Sequence, residues 1–235
     1  MPGYRTLILA AALLLTGLCP AHADAAANLQ ARALDAWSKI TDYSCKIQSH
    51  VVKGSKTEDR SYLMYFKKPT LIRLDVITGT RAGDAGSVAV YTGTGKVAGH
   101  QGGVLSGINL ELSIDDPKTT SIRGGRITDL PFSKQIGLIQ KYQNAKGKLE
   151  VGAPTTISGH AATPLTLFSN NPSFIMVNEN IAKEVIYLSN ATGLPLQWDR
   201  YEADGTLVVH ITFTDLKVNN GLQEALFNPK AKASQ

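Results

Sequence analysis

The stretch Leu196-Gln-Trp-Asp-Arg-Tyr-Glu-Ala-Asp-Gly-Thr-Leu-Val-Val-His-Ile-Thr-Phe213 decides the fold class. Leu196 and Trp198 alternate with Gln197 and Asp199, and Leu207, Val209, Ile211 and Phe213 alternate with Val208, His210 and Thr212. A period of two puts each apolar set on one face of a strand. Asp204-Gly205 between the runs is a tight-turn signal, so the stretch reads as an antiparallel hairpin with one buried and one wet face.

The pattern extends outward from this hairpin. Tyr43, Cys45, Ile47 and Val51 alternate with Ser44, Lys46, Gln48 and His50, and Tyr62, Met64 and Phe66 form a second face. Ile72, Leu74 and Val76 alternate with Arg73 and Asp75. Val88 and Val90 lead through the Thr92-Gly-Thr-Gly95 turn to Val97, and Leu110, Leu112 and Ile114 precede an Asp115-Asp116-Pro117 turn. Leu165 with Leu167, and Val185 with Tyr187, complete the set, the last pair running into a turn around Asn190–Gly193. About nine to eleven strands at short intervals predict an antiparallel sheet or barrel.

Two segments carry a helical period instead. Over 26–40, Leu29, Ala33, Trp37 and Ile40 share a face. Over 131–142, Thr128 and Asp129 offer capping oxygens, Pro131 suits a first turn, and Ile136, Ile139 and Tyr142 form the stripe. Two helices are too few for a parallel array, which needs one crossover per strand, but enough to cover the open side of a curved sheet. The expectation is a mainly β, α+β fold in a single domain over 24–235. Gly99–Ile108 is a glycine-rich loop, and 168–182 is less regular.

Residues 1–23 read as a secretory signal peptide. Arg5 precedes an apolar run, Thr6 to Leu18, followed by Pro20 and the small-x-small site Ala21-His22-Ala23. The run is shorter than the roughly 20 residues of a membrane span. Cleavage is expected after about Ala23, with Cys19 discarded, leaving one cysteine, Cys45, expected to be buried. The destination is the periplasm.

The 235 residues are 43% apolar and 18% charged, with net charge +5, which excludes wholesale disorder. Lys67, Lys68 and Arg73 form one basic cluster, and Lys134, Lys141, Lys146 and Lys148 another. Neither has the density or aromatic interleaving of a nucleic-acid surface. Catalytic patterns fail. Gly95-Lys96 is followed by Val97 with Val90 five positions before Gly95, so it is no phosphate loop, and Gly93-x-Gly95 then Gly99 is misspaced for a dinucleotide fingerprint. His50, His100, His160 and His210 lack zinc-ligand spacing, and no Gly-x-Ser-x-Gly elbow exists. No cofactor, metal or catalytic residue is assigned, and a secreted hydrolase ranks last.

Three stretches resemble the LolA-like periplasmic family of outer-membrane lipoprotein carriers and sorting proteins. They are Tyr43-Ser-Cys-Lys-Ile47 with Tyr65-Phe-Lys-Lys-Pro-Thr-Leu-Ile-Arg-Leu74, then Val88–Lys96, and Gly193–Gly205 leading to Phe213–Asn220 and Leu226-Phe227. The Tyr-Ser-Cys opening is similar to an uncharacterised LolA-related branch. The resemblance implies a half-open antiparallel barrel, lidded by helices and holding acyl chains in an apolar cavity. It implies a lid or gate position before Pro69, filled here by Lys68 where the carriers usually have arginine. Ile47, Met64, Phe66, Ile72, Leu74, Trp198, Val209, Ile211 and Phe213 are the candidate ligand-binding residues. Alternation alone does not separate a filled barrel from a hollow one.

The leading expectation is a non-catalytic, monomeric carrier or binding protein for a lipid or an acylated protein. It predicts a mostly apolar pocket of a few hundred Å³ or more. The alternative is an envelope interaction or sensor module that docks a partner protein through an exposed apolar patch or strand edge.

Overall fold

The computed structural model describes residues 21–145, 147–168 and 181–231. Residues 1–20 of the 1–23 signal-peptide reading, Lys146 and most of the irregular segment 168–182 lie outside the described residues. The elements are α1 (Ala21–Ser38), β1 (Asp42–Lys53), β2 (Lys56–Lys67), β3 (Leu71–Gly79), β4 (Val88–Tyr91), β5 (Lys96–His100), β6 (Leu110–Ser113), α2 (Phe132–Asn144), β7 (Lys148–Val151), β8 (Thr155–Ile157), β9 (His160–Phe168), β10 (Ile181–Ser189), β11 (Pro195–Glu202) and β12 (Leu207–Val218).

Among the described residues, twelve strands make one antiparallel sheet in the order β6-β5-β4-β3-β2-β1-β12-β11-β10-β9-β7, with β8 paired on β9. The mainly β class and the curved open sheet stand as expected. Short β7 and β8 are additional to the expected strands, because neither carries a long enough alternation to register as one. The quoted hairpin is β11–β12, and the seam between the two halves of the chain is β1 against β12.

Register carries the concave face across the sheet in rows. One row runs Ile72–Phe66–Tyr43, and another runs Tyr62–Ile47–Phe213. A third runs Arg60–Ser49–Ile211–Trp198–Ile186–Leu165. The face thus grades from aromatic at one end to mixed and charged at the other.

α2 fills the aromatic end. Its stripe of Ile136, Ile139 and Tyr142 is buried as expected, and Phe132 enters the concave face. The Phe132 ring stacks on Tyr43 at 4.5 Å and meets Phe213 edge-on at 5.2 Å. The Phe132 backbone N–H donates to the Tyr43 hydroxyl at 3.1 Å, so the buried phenol is partnered. α1 adds Leu29, Ala33 and Trp37, the last lying 5.6 Å from Phe66. Gly193, at φ +74°, lets the β10–β11 turn approach α1: a Cβ there would lie 3.0 Å from the Arg32 carbonyl oxygen.

Two faces differ from the expected alternation. On β4 the concave residues are Ala89 and Tyr91, paired with Leu74 and Ile72, while Val90 lies on the convex side with Arg73. Arg73 is only 2% exposed there, because its guanidinium donates to the carbonyls of Leu226 and Asn228 and to Asp75. The C-terminal segment thus buries a stripe that would otherwise be wet. On β10, Ile186 and Leu188 are the fully buried pair, with Ile186 opposite Trp198, whereas Tyr187 is half-buried. Residues 185–188 are apolar at every position, so period two does not choose between the faces.

Candidate functional site

The concave face is not covered evenly. Beyond the part filled by α2, the segment 114–130 crosses it as irregular chain, and a cavity of about 200 Å³ remains beneath. Its apolar floor comes from Leu74, Ala89, Val97, Leu112, Val209 and Ile211. Cavities of about 150 Å³ accept a benzene-sized guest. The volume therefore suits one slim apolar group rather than a whole lipid, and it is smaller than the expected pocket.

The wall is also more polar than expected. It carries five cationic side chains, Arg60, Lys118, Arg123, Arg126 and Arg200, against two carboxylates, Asp84 and Asp129. Two arginines, Arg123 from the wall and Arg81 beside it, fasten the cover. Arg123 donates to the Val52 carbonyl (2.7 Å) and to Glu202 (2.6 Å), tying the crossing segment to β1 and β11. Arg81 reaches the carbonyls of Pro117 and Thr120 and pairs with Glu58, which also receives Arg60 at 3.3 Å. Arg60 bonds Asp84 at 3.1 Å, and Arg126 pairs with Asp115. Buried charge is tolerated here because it is paired.

Two polar features remain inside. The Arg123 Nε is buried with no hydrogen-bond partner among the described residues, and such a donor costs stability unless something accepts from it. The Trp198 indole N–H donates to Glu184 at 2.7 Å, fixing the largest ring at the cavity's edge.

The nine candidate ligand-binding residues divide. Leu74, Trp198, Val209 and Ile211 line the cavity. Ile47, Met64, Phe66, Ile72 and Phe213 do not line it. They are buried in the closed core beside α2. Lys68 does not border the cavity either. Its ammonium donates to the Trp37 carbonyl at 2.6 Å and lies 4.3 Å from the Trp37 ring, fastening the end of α1 to the β2–β3 turn. Sequence reasoning missed Arg60, Arg123 and Arg200. Arg60 and Arg200 sit in charged runs, Glu58-Asp-Arg60 and Asp199-Arg200, where both faces carry charge and alternation gives no direction.

Cys45 is buried in the core, and burial pushes its thiol pKa up, away from nucleophilic use. Among the described residues no group of three or more His, Cys, Asp or Glu is arranged to hold a metal. No helix of the described residues is long and apolar enough to cross a membrane.

No protein-family model and no curated protein matches the sequence. Solved structures share its fold. An uncharacterised conserved protein from Thermus thermophilus is 15% identical, aligned over 90% of this chain and 97% of its own, with a TM-score of 0.53. MucB is 14% identical over 89% of this chain, with a TM-score of 0.52, and this chain spans 64% of MucB. A LolA superfamily protein from Nitrosomonas europaea is 10% identical over 86% of this chain and 96% of its own, at a TM-score of 0.38. At these identities the likeness to the Thermus protein and to MucB is one of fold alone.

Proposed function

We propose that the protein is an exported, non-catalytic carrier that holds one acyl chain, or an apolar group of similar width, under the 114–130 segment. The observation that supports this is the unfilled cavity itself. Its floor is apolar, its wall carries more cations than carboxylates, and Arg123 Nε awaits an acceptor. An amphiphile with an anionic head matches both surfaces: burying its chain gains about 0.8 kcal/mol per methylene, and the head meets guanidinium donors. Export to the periplasm, with cleavage after about Ala23, belongs to the same proposal and supplies a compartment where such amphiphiles are abundant.

Native mass spectrometry of the protein purified from its own envelope tests this reading. An adduct of lipid mass, released by organic solvent, is expected. A clean apo mass contradicts it.

A second reading has an observation of its own. Val104 is fully exposed, and Ile108 and Leu110 are exposed a few residues on, Leu110 opening the edge strand β6. An apolar patch on a free edge suits a docked polypeptide. In the same spectra a stoichiometric protein adduct without lipid favours that reading.

A further inference from the structure

We propose that the convex face carries a site for a divalent transition metal, made by the paired imidazoles of His50 and His210 and separate from the cavity. Four residues stand in register across four strands: Asp199 on β11, His210 on β12, His50 on β1 and Asp59 on β2. The two histidines are direct cross-strand partners, so their Cβ atoms lie about 5 Å apart. Each Nδ1 is engaged on the outer side of the row, His210 with Asp199 at 2.7 Å and His50 with Asp59 at 2.6 Å.

That arrangement fixes what the other nitrogens do. A carboxylate accepts, so each Nδ1 carries its proton, and each neutral ring keeps its lone pair on Nε2. Nδ1 and Nε2 lie on opposite sides of the line along which the ring leaves Cβ. Turning Nδ1 outward, towards its aspartate, therefore turns Nε2 inward, towards the other imidazole. Both rings are partly exposed, so solvent ions reach this gap. Two lone pairs tilted towards one solvent-open gap offer a single cation two neutral nitrogen donors.

The pairing matches the chemistry of a metal site. Metal-bound histidines characteristically donate their second ring N–H to a carboxylate, which orients the ring and raises its basicity. Imidazole nitrogens are good zinc ligands, bound at about 2.0–2.1 Å. The next convex positions along the two strands are Gln48 and Val52 on β1 and Thr212 and Val208 on β12, none of them cationic. Two protein ligands with water completing the shell select copper, nickel or zinc over magnesium or calcium, which prefer oxygen donors. The bound ion would span the β1–β12 seam and join the two halves of the sheet.

The test is calorimetric titration of untagged full-length protein with Cu²⁺ and with Zn²⁺ at pH 7.5. Electron paramagnetic resonance of the copper form is recorded alongside. One ion per chain is expected, with two equivalent nitrogens coupled to copper. His50→Ala and His210→Ala should each weaken binding at least tenfold, and Asp199→Asn about 10–100-fold. Circular dichroism checks folding, and His50→Gln replaces the alanine variant if that one unfolds. Absence of stoichiometric binding overturns the proposal. So does binding that survives the double variant His50→Ala/His210→Ala, since the ion would then reside elsewhere.

Discussion

The two ends of the concave face share one sheet and one pattern of alternation, yet one is filled and the other is hollow. At the filled end, α2 delivers Phe132, Ile136 and Ile139 at helical spacing onto Tyr43 and Phe213. At the hollow end, residues 114–130 cross with only one short 3-10 turn, Ile127–Asp129, and are fastened by arginine arms. The difference lies in the cover. A helix stripe fills a concave face with side chains, whereas an irregular segment held at its polar contacts leaves space beneath it. Whether this kind of half-barrel is a core or a container depends on the chain laid over the strands.

The largest expected effect is at the filled end. Phe132→Ala removes the ring stacked on Tyr43 and should cost about 3–5 kcal/mol, measured by denaturant unfolding. Leu74→Ala, whose side chain already borders empty space, should cost less. Equal costs would mean that the two ends are packed alike. Next comes the cover. Arg123→Ala should cost about 1–3 kcal/mol, because it leaves Glu202 without its partner and frees the Val52 carbonyl. Limited proteolysis should then cut within 114–130 sooner than in the wild type. Unchanged cleavage would show that the cover stays in place without this arm.

The smallest effect concerns the convex face, away from both ends. The hydrogen bond to Asp199 raises the His210 pKa above its usual value, against the opposing pull of desolvation. A pKa raised in the folded state means that the folded protein binds the proton more tightly. This contribution is therefore fully present below about pH 6.5, the unfolded value, and is lost as pH rises through the folded value. Thermal unfolding in metal-free buffer should show the wild type losing stability relative to His210→Gln across that window. Parallel curves would remove the assignment.

How far the sequence carries differs between these regions for physical reasons. The β1, β2, β11 and β12 faces were legible because one side must be dry and the other wet, and the quoted hairpin reads directly as β11–β12. The β10 face was not, because consecutive apolar residues fit either orientation. Arg73 looked like a solvent residue, and only the distant Leu226 and Asn228 carbonyls make it a buried one. In the site, the inward direction of Leu74, Trp198, Val209 and Ile211 was legible, but so was that of Phe66 and Phe213, which lie in the filled end. Alternation encodes facing. It does not encode what covers the face, and the covering segment around Asp115-Asp116-Pro117 reads only as a turn.

Ala89→Phe tests the central claim most directly. The substitution grows a ring from the cavity floor into the empty space and touches none of the aromatic core. Titration with a fluorescent fatty acid should show saturable binding to the wild type and at least tenfold weaker binding to the variant, with unfolding midpoints close together. Wild-type affinity in a folded Ala89→Phe protein would contradict the claim that this cavity is the container.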